Sequence, residues 1–318
     1  MTRAQLLTAL ARRLNKPESL DTATSNRLKE FLNETHRELL SHPGLQRLRD
    51  DTLTFASVAS QATYALPWAA KINRIFETTN DRLLEPMSLA QYRAMDPDPS
   101  STTGTSDHWV WLGYQPVAKQ PSDASSLFID STSASDVGTC YLEGETTGGY
   151  PRATSVIMTG VTAVNVAASI SDWVRVTKLY LSTAAVGTVT LHEDASGGTE
   201  LARIAPGQTA QKYYAFVLYP TPSDAITYTA DVTRGVTDFA QDTDEPLLPQ
   251  DFHDLLVIGA MAREYEKTED SRLTVAMSRY QDRRRDLLFW LAETASGTNT
   301  LNAAPGRSRL GPYFPAGS

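Results

Sequence analysis

The sequence predicts an α+β protein, in which a helical bundle built from the N- and C-terminal helices carries an inserted antiparallel β-sandwich or barrel and ends in an extended arm. Three observations predict this fold: apolar residues recur at helical spacing near both ends, short alternating runs fill the middle, and the last residues follow neither pattern. The predicted segments are 1–120 for the first helices and short strands, 121–232 for the inserted β domain, 233–293 for the closing helices and 294–318 for the arm.

Two amphipathic helices begin the chain. Leu7, Leu10 and Leu14 form an apolar stripe on the first helix, and Asp21 or Thr22 can cap the second by accepting its free N–H groups. The stripe of the second helix consists of Leu28, Phe31, Leu32, Thr35 and Leu39. Because each stripe covers one side only, both helices require a partner surface.

Strands are predicted in the middle of the chain. Residues 53–55 and 63–67 resemble a hairpin, and 72–76 a third strand. Beyond residue 121, where Thr, Ser, Val, Ala and Gly dominate, the clearest strands are 173–181, 187–191, 212–219 and 225–232. Closely spaced strands without intervening helices indicate an antiparallel sandwich or barrel.

Helical spacing returns at Pro249. One apolar face comprises Phe252, Leu255, Leu256, Gly259, Ala262 and Tyr265. A second comprises Leu273, Met277, Tyr280, Leu287 and Leu291. Pairing these helices with the first two makes one helical domain. The arm that follows has two charges, three prolines and no periodicity, and is expected to be ordered by a partner.

Composition restricts the function. The 318 residues include 29 basic and 37 acidic side chains, a net charge of −8 that argues against a dedicated nucleic-acid-binding protein. The single cysteine, Cys140, excludes an intrachain disulfide and a Cys-rich metal site. No apolar run is long enough for a membrane helix. We therefore expect no metal, no cofactor and no membrane partner.

No catalytic constellation is evident, and the protein is not predicted to be an enzyme. Glu143 and Glu145 point from the same face of a predicted strand and could act as an acid–base pair on a glycoside, although a solvated sheet face is the commoner explanation. A different class of function is a carbohydrate- or cell-surface-binding β module. Its stacking platforms would be Trp173, Tyr180, Tyr213 or Tyr214.

One basic cluster stands out in an acidic chain. Arg279, Arg283, Arg284 and Arg285 lie on the last predicted helix, where 279 and 283 share a face. The cluster is interpreted as a contact for an acidic protein partner, with a solvated surface as the alternative.

Six short segments occur in a fixed order along the chain. They are Leu28-Lys29-Glu30-Phe31-Leu32-Asn33, Tyr64-Ala65-Leu66-Pro67, Ile72-Asn73-Arg74-Ile75, Gly104-Thr105-Ser106-Asp107-His108-Trp109, Tyr219-Pro220-Thr221-Pro222 and Leu248-Pro249-Gln250-Asp251-Phe252-His253. Their order and spacing resemble the head-to-tail adaptor (connector) proteins of tailed bacteriophages. Ser106 stands where that family often has proline, and residues 121–215 have no counterpart in its minimal pattern.

The resemblance implies a structural virion protein of the neck, assembled in the host cytoplasm. It would form a ring of twelve copies beneath the portal protein, extend the DNA channel and offer a surface to a tail or nozzle protein. Genomic DNA would pass without sequence-specific binding, because an acidic lumen repels phosphates. The arm residues expected to dock on the portal or a neighbouring subunit are Leu301, Arg307, Arg309, Leu310, Tyr313 and Phe314.

Overall fold

A computed structural model describes residues 1–17, 19–67, 69–97, 102–194 and 198–296. It contains both helices and β-sheets, as the α+β prediction requires. The described residues divide into two compact units: a helical unit formed by 1–49 and 236–296, and a β unit formed by Asp50–Gly235. The predicted arm, 294–318, lies almost wholly outside the described residues.

The helical unit contains four α-helices and two 3₁₀ turns, Pro43–Arg49 and Gln250–Phe252, and the β unit contains one short α-helix. The α-helices are α1 (Arg3–Arg13), α2 (Thr22–Ser41), α3 (Leu89–Met95), α4 (His253–Lys267) and α5 (Leu273–Ser296). The strands are β1 (Asp50–Ala56), β2 (Thr63–Pro67), β3 (Ala69–Glu77), β4 (Arg82–Met87), β5 (Thr103–Gly104), β6 (His108–Gln115), β7 (Leu127–Ser131), β8 (Thr139–Thr146), β9 (Tyr150–Ile157), β10 (Val164–Asn165), β11 (Trp173–Leu181), β12 (Val189–Glu193), β13 (Glu200–Ile204), β14 (Tyr213–Tyr219), β15 (Thr221–Pro222) and β16 (Thr227–Arg234).

Side-chain caps fix where the first two helices begin. Thr2 and Gln5 form a capping box at α1. The Asp21 carboxylate accepts a hydrogen bond from the Thr24 amide, at 2.9 Å, so of the two predicted caps Asp21 is the one used. The boundaries of both helices therefore follow from local sequence.

The core of the helical unit is a single apolar cluster to which α1, α2, α4 and α5 all contribute. The predicted stripes supply most of it, but Met277 is 41% exposed, and Ala276 is the buried residue in that turn of α5. Gly259 is needed for close packing: a Cβ there would lie 2.4 Å from Cγ2 of Thr35. The N- and C-terminal segments of the chain are thus packed in one unit.

A seven-stranded sheet, barrel-like and nearly closed, is the larger sheet of the β unit. Its strand order is β1-β16-β3-β4-β6-β14-β2. The predicted hairpin of 53–55 with 63–67 is wrong, because β1 pairs with β16 and β2 pairs with β14. The two strands instead form the two edges of the sheet, and the rings of Phe55 and Tyr64 lie 5.7 Å apart. Alternating apolar residues predict a strand but not its partner.

Two smaller sheets share a second core in the β unit. One contains β10, β7, β12 and β13, and the other β11, β8 and β9. Both sheets contribute to one buried cluster, which includes Leu142, Trp173 and Leu191. The β unit begins at Asp50, whereas the inserted domain was predicted to begin at residue 121. The difference arises because β14 and β16, inside the predicted insert, pair with strands before it.

Candidate protein-docking surface

The arginines of the predicted basic cluster differ in their surroundings. The Arg283 Nε donates to Asp254 at 3.2 Å, and its guanidinium lies 4.6 Å from the centre of the Phe252 ring. Arg285 forms an exposed ion pair with Asp282 at 3.1 Å. Arg279 lines a groove of the helical unit. Contact of the cluster with an acidic partner stays a prediction.

That groove lies between α4 and α5 and has a volume of about 590 Å³. Its floor is apolar and its rim carries three arginines. The lining residues are Arg13, Ile258, Met261, Tyr265, Arg272, Val275, Ala276 and Arg279. An apolar floor with a cationic rim suits a protein segment that is apolar in the centre and acidic at its edges.

Only part of the positive charge of the groove is neutralised within the protein. Arg272 donates hydrogen bonds to the Asp270 carboxylate, and these bonds lower the pKa of Asp270 to about 2. The Arg272 guanidinium also lies over the Tyr265 ring. The side chains of Arg13 and Arg279 are exposed, and neither guanidinium forms a hydrogen bond or ion pair with the described residues. These two guanidinium groups are therefore free to meet carboxylates of a partner.

Sequence reasoning identified Arg279 but missed Arg13 and Arg272. Arg272 immediately precedes α5, and Arg279 follows seven residues later on the helix. Arg13 joins them only because α1 packs in the same unit as α4 and α5, and no sequence pattern connects residues that far apart.

The aromatic residues named for a carbohydrate site are mostly inaccessible. Trp173 is fully buried, and Tyr213 and Tyr214 are also buried. Each lies in a sheet core, where a sugar cannot stack on it. Tyr180 is 40% exposed and stacks on Tyr141, with ring centres 4.9 Å apart.

The two glutamates considered for catalysis lie on one half-exposed face of β8. Lys178 Nζ is 2.7 Å from Glu143, and Arg175 Nη1 is 3.7 Å from Glu145, each across the strand pair with β11. This arrangement is typical of cross-strand ion pairs on a solvated sheet. The ion pairs explain why both glutamates lie on this face without a catalytic role.

Metal clusters and membrane-spanning helices are absent from the part of the chain that the structure describes. The described residues contain no group of three His, Cys, Asp or Glu side chains that could hold a metal ion. No described helix is both long and apolar enough to cross a bilayer. The predicted arm contacts, Leu301, Arg307, Arg309, Leu310, Tyr313 and Phe314, lie outside the described residues.

The described residues thus form a helical unit, with a groove that is apolar at its floor and cationic at its rim, and a β-rich unit. The chain belongs to the SU10 adaptor protein family, whose model matches residues 1–127 and 144–309. This is a family of phage structural adaptors. The match includes most of 121–215, for which the sequence analysis found no counterpart in the family pattern.

Comparisons with individual proteins add little to this assignment. No curated protein matches the chain. Among solved structures, a mutant VP2 protein of infectious bursal disease virus in derived T=1 particles shares 11% identity over 80% of this chain, with a TM-score of 0.11. The chain spans 56% of that protein, and a likeness this weak does not indicate a shared fold.

Proposed function

We propose that the protein is a head-to-tail adaptor of a tailed phage, which forms a ring of twelve copies beneath the portal protein in the neck of the virion. The observation that carries this proposal is the family match, which extends over both the helical and the β-rich parts of the chain. The ring extends the DNA channel and presents a surface to a tail or nozzle protein. It is assembled in the host cytoplasm and performs no catalysis.

The charge of the chain is compatible with this role. A net charge of −8 gives DNA phosphates little to bind, so the genome can slide through the channel without sequence-specific contacts. The groove of the helical unit and the C-terminal arm are the segments that we expect to contact protein partners. The arm carries Leu310, Tyr313 and Phe314 beside two arginines, a combination that suits an apolar and acidic site on the portal or on a neighbouring copy.

Mass photometry of the protein with the portal protein of the same genome tests the proposal. Twelve copies of 34.8 kDa should raise the mass of the portal by about 420 kDa. The control is the portal mixed with an unrelated protein of similar size. An unchanged portal mass at excess adaptor would contradict the proposed function.

A further inference from the structure

The two sides of the α4–α5 pair differ in charge. Residues 258, 261 and 265 of α4 line the groove described above, whereas 259, 262 and 266 line a smaller depression, one residue or about 100° further round the helix. This second side continues onto α2. The charged residues that decide its character are Glu30, Glu34, Glu38, Arg263, Glu266 and Lys267.

Carboxylates without partners characterise the second side, which we call the acidic side. The Arg263 guanidinium already forms two ion pairs, because its two Nη atoms lie 3.0 Å from Glu34 and 2.8 Å from Glu38. Glu30 and Glu266 are exposed and form no ion pair with the described residues. Lys267 is a cation that also lines this side. Glu30, Glu266 and Lys267 together carry a net negative charge.

We propose that the groove of one copy receives the acidic side of the next copy. Arg13 and Arg279 would then face Glu30 and Glu266 across the contact. This inference rests on the proposed function, because it names the surfaces by which neighbouring copies join in the ring.

Charge complementarity supports a second copy as the occupant. Among the described residues, the groove has two cations without ion-pair partners, Arg13 and Arg279, and the acidic side has two carboxylates without partners beside the cation Lys267. Each side also exposes an apolar residue of α5, Val275 in the groove and Met277 on the acidic side. Burying these residues between the charge pairs gives an apolar centre with a polar rim. Because the two sides lie on different flanks of α4 and α5, the contact joins unlike surfaces. Such head-to-tail contacts close into a ring when the rotation from copy to copy divides a full turn, and otherwise build an open filament. The proposed ring requires the first case.

Charge reversal tests the proposal on the full chain. The groove variant carries Arg13→Glu and Arg279→Glu, and the acidic-side variant carries Glu30→Lys and Glu266→Lys. Arg152→Glu with Lys212→Glu, two exposed cations of the β unit, is the control for altered net charge. Circular dichroism confirms that each variant is folded. Association is measured in two settings, by sedimentation of the adaptor alone and by mass photometry with the portal protein.

Each reversed variant alone should associate at least about tenfold more weakly than wild type, because like charges then face each other. An equimolar mixture of the two should recover association, since each groove then meets a neighbouring side of opposite charge. The control variant should behave as wild type.

Three results would overturn the inference. Unchanged association of both variants would show that these surfaces are not in contact. A groove variant that loses portal binding and is not recovered by mixing would assign the groove to the portal. Wild-type copies that associate in neither setting would overturn both the inference and the proposed function, whereas association without portal binding would overturn the proposed function alone.

Discussion

Arg27 and Glu264, 237 residues apart in the sequence, form a two-point ion pair. The Arg27 Nε and Nη2 each donate to one carboxylate oxygen of Glu264 at 3.0 Å, and Lys16 Nζ lies 3.1 Å from the same carboxylate. Burial raises the pKa of Glu264, but the hydrogen bonds from Arg27 and Lys16 outweigh it and hold the pKa below its usual value. A single buried carboxylate thus links α4 to two segments from the beginning of the chain.

Replacing Glu264 by glutamine should destabilise the helical unit by about 2 kcal/mol, because Arg27 and Lys16 lose their charged acceptor while the side chain keeps its size. Chemical denaturation followed by far-UV circular dichroism measures the loss. Glu266→Gln, two residues along the same helix and exposed, is the matched control and should leave stability nearly unchanged. Equal effects of the two variants would contradict a special role for the buried carboxylate.

Gly144 should not tolerate alanine. A Cβ at this position would lie 2.1 Å from the carbonyl oxygen of Arg175 and 3.1 Å from the Trp173 ring, at a place where the register of β11 shifts. Backbone would have to move, so Gly144→Ala should cost the β unit roughly 3 kcal/mol.

Gly149→Ala is the comparison for this prediction. Gly149 has a φ of +77° and nothing within 4 Å of its Cβ position, so alanine there should cost only about 1 kcal/mol of backbone strain. Thermal unfolding of both variants compares the steric cost of a Cβ at Gly144 with the cost of backbone strain at Gly149. A larger loss for Gly149→Ala would be evidence against the close approach at Gly144.

Local patterns in the sequence predicted the elements better than their partners. The stripe through Leu28, Leu32 and Leu39 and the cap at Asp21 depend on neighbours within a few residues, and the structure has both. The pairing of β1 with β16 depends on residues about 180 positions away, which alternation cannot specify. For the same reason the basic cluster in the sequence pointed to Arg279 but not to Arg13, which lines the groove because α1 packs beside the other helices.

Cys140 should report unfolding of the β unit. Its thiol is buried in β8, and burial raises its pKa to about 12, so almost no thiolate is available to react near neutral pH. A thiol reagent should therefore leave the native protein unmodified and label it fully in denaturant. Cys140→Ala provides the blank. Rapid labelling of the native protein at neutral pH would contradict the buried position.

Acid should weaken the helical unit through His36. Burial lowers the pKa of His36 from 6.5 to about 4, and its ring packs 4.4 Å from that of Phe239. The unfolded chain therefore binds a proton below about pH 6.5 that the folded protein does not accept until about pH 4. Stability is fully present above pH 6.5 and should fall by up to about 3 kcal/mol as the pH drops to 4. His253, whose pKa burial also lowers, acts in the same direction.

His36→Phe isolates this contribution, because phenylalanine keeps an aromatic ring against Phe239 and cannot bind a proton. Denaturation of the wild type and the variant at a series of pH values gives the difference in stability. That difference should change between pH 6.5 and 4 and be constant above this range. A difference independent of pH would show that His36 is protonated equally in both states.

Removing the C-terminal arm should separate attachment from folding. Deletion of residues 297–318 leaves α5 intact to Ser296, so the helical signal of the remaining chain should be unchanged, while attachment to the portal protein should be lost.

Arg307→Glu with Arg309→Glu tests the charges of the arm, and Tyr313→Ala with Phe314→Ala tests its apolar end. A greater loss from the second pair would indicate that apolar burial dominates, as it does at the centre of most protein interfaces. Full attachment of the deleted protein would show that the arm is not needed for docking on the portal protein.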